Sequence, residues 1–196
     1  MSVFEREQQV LAASAPPDTS ALIPSTLEDV ELLDPDGDTV TLSGAIAGKP
    51  AVLVLYRGAW CPFCNLALHT YEHDLVPALA KRGIGLIAIS PQHPDGSLSM
   101  MEKQQLTYAV LSDPGNQIAS QLGVLTAPSP EARATQLELG LDLEDVNADG
   151  TTTLPMPTVA IVGGARTLRW IDVHPDYSSR TTTAQILDAL DHGEAP

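Results

Sequence analysis

Two stretches of this chain are apolar with no polar alternation, Ala51–Leu55 leading into Tyr56 and Ile84–Ile89. Both are short for helices, and an unbroken apolar run of that length predicts a strand buried on two faces, as in a parallel sheet. Before them, Glu28–Leu33 and Thr39–Leu42 flank the turn cluster Asp34-Pro35-Asp36-Gly37-Asp38, which predicts a hairpin, with a short turn over Gly44–Lys49. From Cys61 to Lys81 the apolar residues Leu68, Tyr71, Leu75 and Leu79 fall on one helical face. Pro77 should kink that helix, because its ring excludes one backbone hydrogen bond.

Gly83 ends the long helix. Ser97–Gln105 then reads as a helix, Thr107–Leu111 as a short strand, and Asp113-Pro114-Gly115-Asn116 opens a helix closed by Gly123. Thr158–Val162 and Leu168–Val173 form a second hairpin pattern across Gly163-Gly164, and a Ser/Thr-capped helix covers about Thr181–Leu190. At the other end, residues 3–13 make a short amphipathic helix with Val3, Phe4, Val10 and Leu11, ended by Ala15-Pro16-Pro17-Asp18. The expected division is residues 1–24 as helix and loop, and 25–196 as one domain. Residues 126–152, with a helical patch at Glu131–Leu139, look like an insertion in that domain. Strands alternating with helices and closed by hairpins give an α/β fold with a mixed central sheet flanked by helices.

A chain of 196 residues suits one ordinary domain with a real core. The net charge of −15 argues against nucleic acid and against anionic membrane, since both are phosphate surfaces that would repel it. No run of about 18 apolar residues exists to span a bilayer. The N-terminal Met1-Ser2-Val3-Phe4-Glu5-Arg6-Glu7 carries acids where a secretory signal needs bases, so a cytoplasmic protein is expected.

Two cysteines are too few for a secreted disulfide scaffold. They stand three positions apart, Cys61 and Cys64, directly after the first buried strand. At the start of a helix the first thiol would sit among unsatisfied backbone N–H groups, which stabilise a thiolate, and the second lies one turn on, in reach of a disulfide. On that ground Cys61 is the expected attacking thiol. Zinc would need two more ligands, and His69 and His73 share the cysteines' helix, which makes tetrahedral closure awkward. Asp145-Val146-Asn147-Ala148-Asp149-Gly150 imitates half an EF-hand loop, but Met156 stands where the bidentate Glu belongs. No metal, nucleotide or flavin cofactor is expected.

Trp60-Cys61-Pro62-Phe63-Cys64 after a buried strand resembles the thioredoxin superfamily, and Cys-Pro-aromatic-Cys resembles glutaredoxins. Leu154-Pro155-Met156-Pro157-Thr158-Val159 is similar to the cis-proline segment of those folds. The resemblance implies a thioredoxin-like fold with an N-terminal β-hairpin and a helical insertion before the late strand. It also implies a cis Pro157 facing the cysteines and a Met156 backbone free to pair with substrate. Leu32–Gly37, Val40–Ser43, Ile87–Ser90 and Ala109–Pro114 bring the chain nearer to the alkyl-hydroperoxide-reductase/thiol-specific-antioxidant family, the peroxiredoxins. Arg57-Gly58-Ala59-Trp60-Cys61-Pro62-Phe63-Cys64 and Asp176-Tyr177-Ser178-Ser179-Arg180 resemble one peroxiredoxin-like branch.

That resemblance implies an enzyme that reduces peroxides while cycling Cys61 and Cys64 between dithiol and disulfide. Arg57, Trp60, Met156, Pro157 and Arg180 would contact the incoming group. In the peroxiredoxin register Cys64 takes the attacking position, and in the thioredoxin register Cys61 does. Two other readings stand beside it: a thiol–disulfide oxidoreductase without peroxidase activity, and a redox sensor or binding module. The implied partners are a peroxide or disulfide substrate and a thioredoxin, glutaredoxin or low-molecular-weight thiol as reductant. A homodimer is an expectation from the family alone.

Overall fold

The structure is a computed structural model that describes residues 1–192. Its helices are α1 (Val3–Ala12), α2 (Leu42–Ile46), α3 (Pro62–Thr70), α4 (Val76–Lys81), α5 (Pro94–Gln104), α6 (Gln117–Gln121), α7 (Pro130–Glu138), α8 (Leu143–Val146) and α9 (Thr183–His192). The strands are β1 (Glu31–Leu33), β2 (Thr39–Thr41), β3 (Ala51–Leu55), β4 (Gly85–Ser90), β5 (Ala109–Ser112), β6 (Leu125–Thr126), β7 (Leu154–Pro155), β8 (Thr158–Val162) and β9 (Leu168–Val173). Seven strands form one sheet in the order β2-β1-β5-β4-β3-β8-β9, and β6 with β7 makes a separate small ladder.

β3, β4 and β5 run parallel, and β8 pairs antiparallel with β3, from Ala51 opposite Val162 to Leu55 opposite Thr158. The two uninterrupted apolar runs therefore lie at the centre, β4 and β3 side by side. Strand periodicity sends Ala51, Leu53 and Leu55 into one core with Ile87, Ile89 and Leu111. Val52, Val54 and Tyr56 enter a second core with Ala88 and Val110, covered by α3, α4, α5 and α9. Cys61 and Cys64 belong to this second core. Burying a leucine such as Leu53 completely stabilises the fold by roughly 1.5–3 kcal/mol.

Several elements differ from the sequence expectations, each for a local reason. Leu42 starts a short helix instead of ending a strand, because the Thr41 hydroxyl caps it by accepting from Gly44 N at 3.0 Å. The long helix runs on from Pro62 to Lys81 as expected, but with a π-type turn at Tyr71–Leu75 between α3 and α4. Pro77 offers no N–H and its ring crowds the preceding turn, so the chain widens just before it. α5 begins three residues early with Pro94 in its first turn. α9 starts at Thr183 because the Thr181 hydroxyl instead donates to Asp172; Thr182 Oγ1 and the Gln185 side chain cap the helix reciprocally.

α1 packs against α7. Arg6 pairs with Glu131, and the Glu7 carboxylate accepts from Ser129 N at 2.8 Å. The N-terminal helix and the inserted segment thus meet beside the cysteines.

Candidate active site

Tyr56 extends β3 by one residue, its N–H donating to Ile89 O, and the chain then turns sharply. Gly58 makes the turn with φ +150°, where an added Cβ would lie 2.5 Å from Trp60 Nε1. Cys61 N donates back to Gly58 O, and Cys61 is the N-cap of α3 with Pro62 next. Pro62 has no N–H, and Cys64 N is already spent on Cys61 O at 3.1 Å. Much of the amide cluster expected around Cys61 is therefore missing.

The positive charge comes from elsewhere in the chain. Arg180 Nη1 donates to the carbonyls of Tyr177 and Ser179, each at 2.6 Å, which aims Nη2 at the thiols. Nη2 lies 3.2 Å from Cys64 Sγ and 4.0 Å from Cys61 Sγ. The segment that carries Arg180 is fixed by its own network. His174 bridges Ser179 Oγ at 2.7 Å and Asp172 Oδ2 at 3.0 Å, and Thr181 Oγ1 donates to the same Asp172 oxygen.

The two thiols share a hydrogen bond and titrate as a pair. Burial opposes the Cys64 thiolate, but the Cys61 thiol, the Arg180 charge and the Arg57 N–H outweigh it and hold its pKa below the ordinary thiol range. The hydrogen bond to Cys64, then burial, push Cys61 the other way.

Both sulfurs are nearly sealed: Cys64 is 0% exposed and Cys61 1%. Cys61 borders a cleft of about 310 Å³ between α1, α7 and the start of α3, and Cys64 does not reach it. Arg57, buried to 6% exposure, stacks between Trp60 and Tyr177 with its guanidinium carbon 5.0 and 4.2 Å from their ring centroids.

The cis-proline expectation fails. The cis bond among the described residues is Ile23–Pro24, and Met156–Pro157 is trans. Nor is Met156 free to pair with a substrate. Its N–H donates to Val124 O at 2.8 Å and its carbonyl accepts from Thr158 Oγ1 at 2.9 Å, because β7 and the chain before β6 take up that backbone. Pro157 itself does lie by the thiols, lining one small void with Cys64 and Arg180.

The model of the AhpC/TSA family matches residues 23–171. The chain belongs to the AhpC/TSA family. Chloroplastic peroxiredoxin Q of Populus jackii is 32% identical over 93 residues, 47% of this chain and 43% of that protein. The chain spans about half the length of the curated relatives it matches. Among solved structures, peroxidoxin BcpB of Mycobacterium tuberculosis superposes with a TM-score of 0.64 at 21% identity, covering 86% of this chain and 93% of that one. Reduced Prx3 of Vibrio vulnificus, in complex with H2O2, gives 0.68 at 19% identity, covering 85% and 97%. These likenesses fix the thioredoxin-like α/β architecture.

In this AhpC/TSA member, Arg57, Trp60, Cys61, Cys64, Pro157 and Arg180 gather at one end of β3, and Met156 is turned to structural use. His69 and His73 meet edge to face, ring centroids 4.5 Å apart, and no cluster of three or more metal-binding side chains occurs among the described residues. No helix among them is long and apolar enough to cross a membrane. Sequence reasoning missed Asp172, His174 and Thr181, which hold the Arg180 segment, and Gln136 and Phe4, which wall the cleft. The first three lay one to four residues from the Asp176–Arg180 motif; Gln136 left no local signal, and Phe4 showed only as part of an amphipathic face.

Proposed function

We propose that this chain is a thiol-dependent peroxidase in which Cys64 attacks the peroxide and Cys61 resolves the product. The observation that carries the reading is the 3.2 Å approach of Arg180 to Cys64 Sγ. It reverses the order expected from the helix start alone, since the Cys64 sulfur has the closer cation and the lowered pKa. The Cys64 thiolate attacks one peroxide oxygen, the O–O bond breaks, and the leaving alkoxide or hydroxide takes up a proton. Cys64 becomes a sulfenic acid. Cys61 sulfur then attacks Cys64 sulfur, releasing water and closing the Cys61–Cys64 disulfide. Two equivalents of a reducing thiol restore the dithiol. Arg180 would also polarise the O–O bond. The relatives' names, peroxiredoxin Q and peroxidoxin, support the peroxide substrate, and the reading includes a cytoplasmic setting where such thiols are kept reduced.

A second reading rests on the cleft. Cys61 borders it while Cys64 is sealed, which favours attack of Cys61 on disulfides and an exchange enzyme without peroxidase activity. The deciding experiment compares turnover of hydrogen peroxide with reduction of insulin disulfides under one thiol reductant. The peroxidase reading expects catalytic peroxide loss in wild type and none in Cys64→Ser. Insulin reduction without peroxide turnover would replace it with the exchange reading, and stoichiometric oxidation without turnover of either would mark a sensor.

A further inference from the structure

The cleft beside Cys61 has a composition that its packing does not explain. Its walls are largely apolar, with Phe4 from α1, Leu139 at the end of α7, and Phe63 and Tyr177 opposite. Two polar groups break that surface. Gln136 is 4% exposed, and its buried Oε1 has no hydrogen-bond partner among the described residues. An unpaired buried amide oxygen is costly and calls for a donor. Arg57 is the other. Its guanidinium is held by two aromatic faces, with no carboxylate within ion-pair distance among the described residues. Glu7 lines a neighbouring pocket with Arg57 and Tyr177, but its Oε1 accepts from Ser129 N and its charge acts on the Tyr177 phenol, with no ion pair to Arg57. In a chain of net charge −15, a buried unpaired cation beside a thiol is a receptor for an anion.

We propose that this cleft binds a low-molecular-weight thiol bearing a carboxylate, the carboxylate on Arg57 and its sulfur directed at Cys61. The inference rests on the Cys61/Cys64 cycle proposed above and names its reductant. The cleft's volume, about 310 Å³, suits a small molecule and not a protein domain. Its position fixes the direction of exchange. The incoming thiolate attacks Cys61 sulfur, the Cys61–Cys64 bond breaks, and Cys64 departs as a thiolate beside Arg180. A lower-pKa thiol is the better leaving group, so attack on this side is the favoured one. A second thiolate attacks the mixed disulfide, releasing the small-molecule disulfide and the reduced Cys61. Two thiols are oxidised for each protein disulfide reduced.

The test starts from the full chain with its disulfide formed by diamide, so that no peroxidase activity is needed. Its reduction is timed with 3-mercaptopropionate, 2-mercaptoethanol and cysteamine, each rate divided by the thiolate concentration. The anionic thiol should react about tenfold faster than the neutral one, and the cationic one should be slowest. Arg57→Gln should bring the anionic-to-neutral ratio near one. Leu139→Glu, at a site 72% exposed and therefore harmless to folding, should do the same by placing a like charge at the cleft wall. In reduced Cys64→Ser, Cys61 should attack the symmetrical disulfide of 3-mercaptopropionate, releasing one 3-mercaptopropionate thiolate, about tenfold faster than it attacks the disulfide of 2-mercaptoethanol. Equal rates for the three thiols, a faster cationic thiol, or a ratio unmoved in both variants would overturn the proposal. A protein that peroxide cannot oxidise, yet that keeps the anionic preference, would refute the peroxidase reading and leave the cleft assignment standing.

Discussion

Arg180 reaches Cys64 Sγ at 3.2 Å and stops 4.0 Å from Cys61 Sγ, so one guanidinium divides its charge unequally between two hydrogen-bonded thiols. In a site where both sulfurs are almost fully buried, solvent does little to even out that difference. The sulfur nearer the cation becomes the thiolate, and its neighbour becomes the proton donor to it. The division of labour between the cysteines follows from this asymmetry more than from their order along α3.

Replacing Arg180 by glutamine removes that charge and leaves two buried thiols facing an amide. The pKa of the reactive thiol, read from ultraviolet thiolate absorbance, should rise by at least about one unit. Near neutral pH the rate of oxidation by peroxide should then fall at least about tenfold. Arg180→Lys should recover part of the loss, since the charge returns without the two carbonyl contacts of the fork. An unchanged thiol titration in Arg180→Gln would show that the guanidinium does not set the ionisation.

The stability of the reduced protein should depend on pH with a definite sign. The folded pKa of Cys64 is lowered, so its stabilisation is complete above the unfolded thiol value and is lost as pH falls through the folded value. The urea midpoint should therefore rise from mildly acid conditions up to about pH 8.5, the ordinary thiol value. Beyond it, the raised pKa of Cys61 acts in reverse, because the unfolded chain ionises while the fold keeps a neutral thiol, and the midpoint should fall. Cys64→Ser should flatten the rising limb. A rising limb of full size in that variant would assign it to other groups.

Gly58→Ala tests the turn that carries β3 into the site. The new methyl would overlap Trp60 Nε1 at 2.5 Å and Cδ1 at 2.9 Å, on a backbone with φ +150°. A loss of about 1–3 kcal/mol in unfolding free energy is expected. The tryptophan emission should shift as Trp60 leaves its place over Arg57. Wild-type stability with unshifted emission would mean that the turn relaxes freely.

The legible parts of the fold were those dictated by short-range pattern. Ala51–Leu55 and Ile84–Ile89 read as buried strands because a strand covered on both faces has no polar side to hide. The hairpin at Asp34–Asp38 was legible because Asp34 Oδ1 closes that turn onto Asp36 N and Asp38 N. Leu42–Ile46 was not, since five residues carry too little periodicity to outweigh the strand-like Thr39–Leu42. Pro77 signalled the irregularity at Tyr71–Leu75, but not its form as a π-type turn within a continuous helix. In the site, Cys61, Cys64 and Arg180 could be named from motifs. Which sulfur Arg180 touches could not, because Asp172, His174 and Thr181 set its position across a loop. The trans Pro157 overturned an expectation borrowed from likeness alone, and the cleft joins α1 to α7 across more than a hundred residues.

The central claim is that Cys64 is the sulfur oxidised first. The most direct measurement exposes reduced Cys61→Ser and Cys64→Ser to hydrogen peroxide with dimedone present and maps the adduct by mass spectrometry. The account expects rapid sulfenic acid trapping on Cys64 in Cys61→Ser and only slow, nonspecific oxidation of Cys61 in Cys64→Ser. Rapid trapping on Cys61 with an inert Cys64 would contradict it and return the leading role to the helix N-cap.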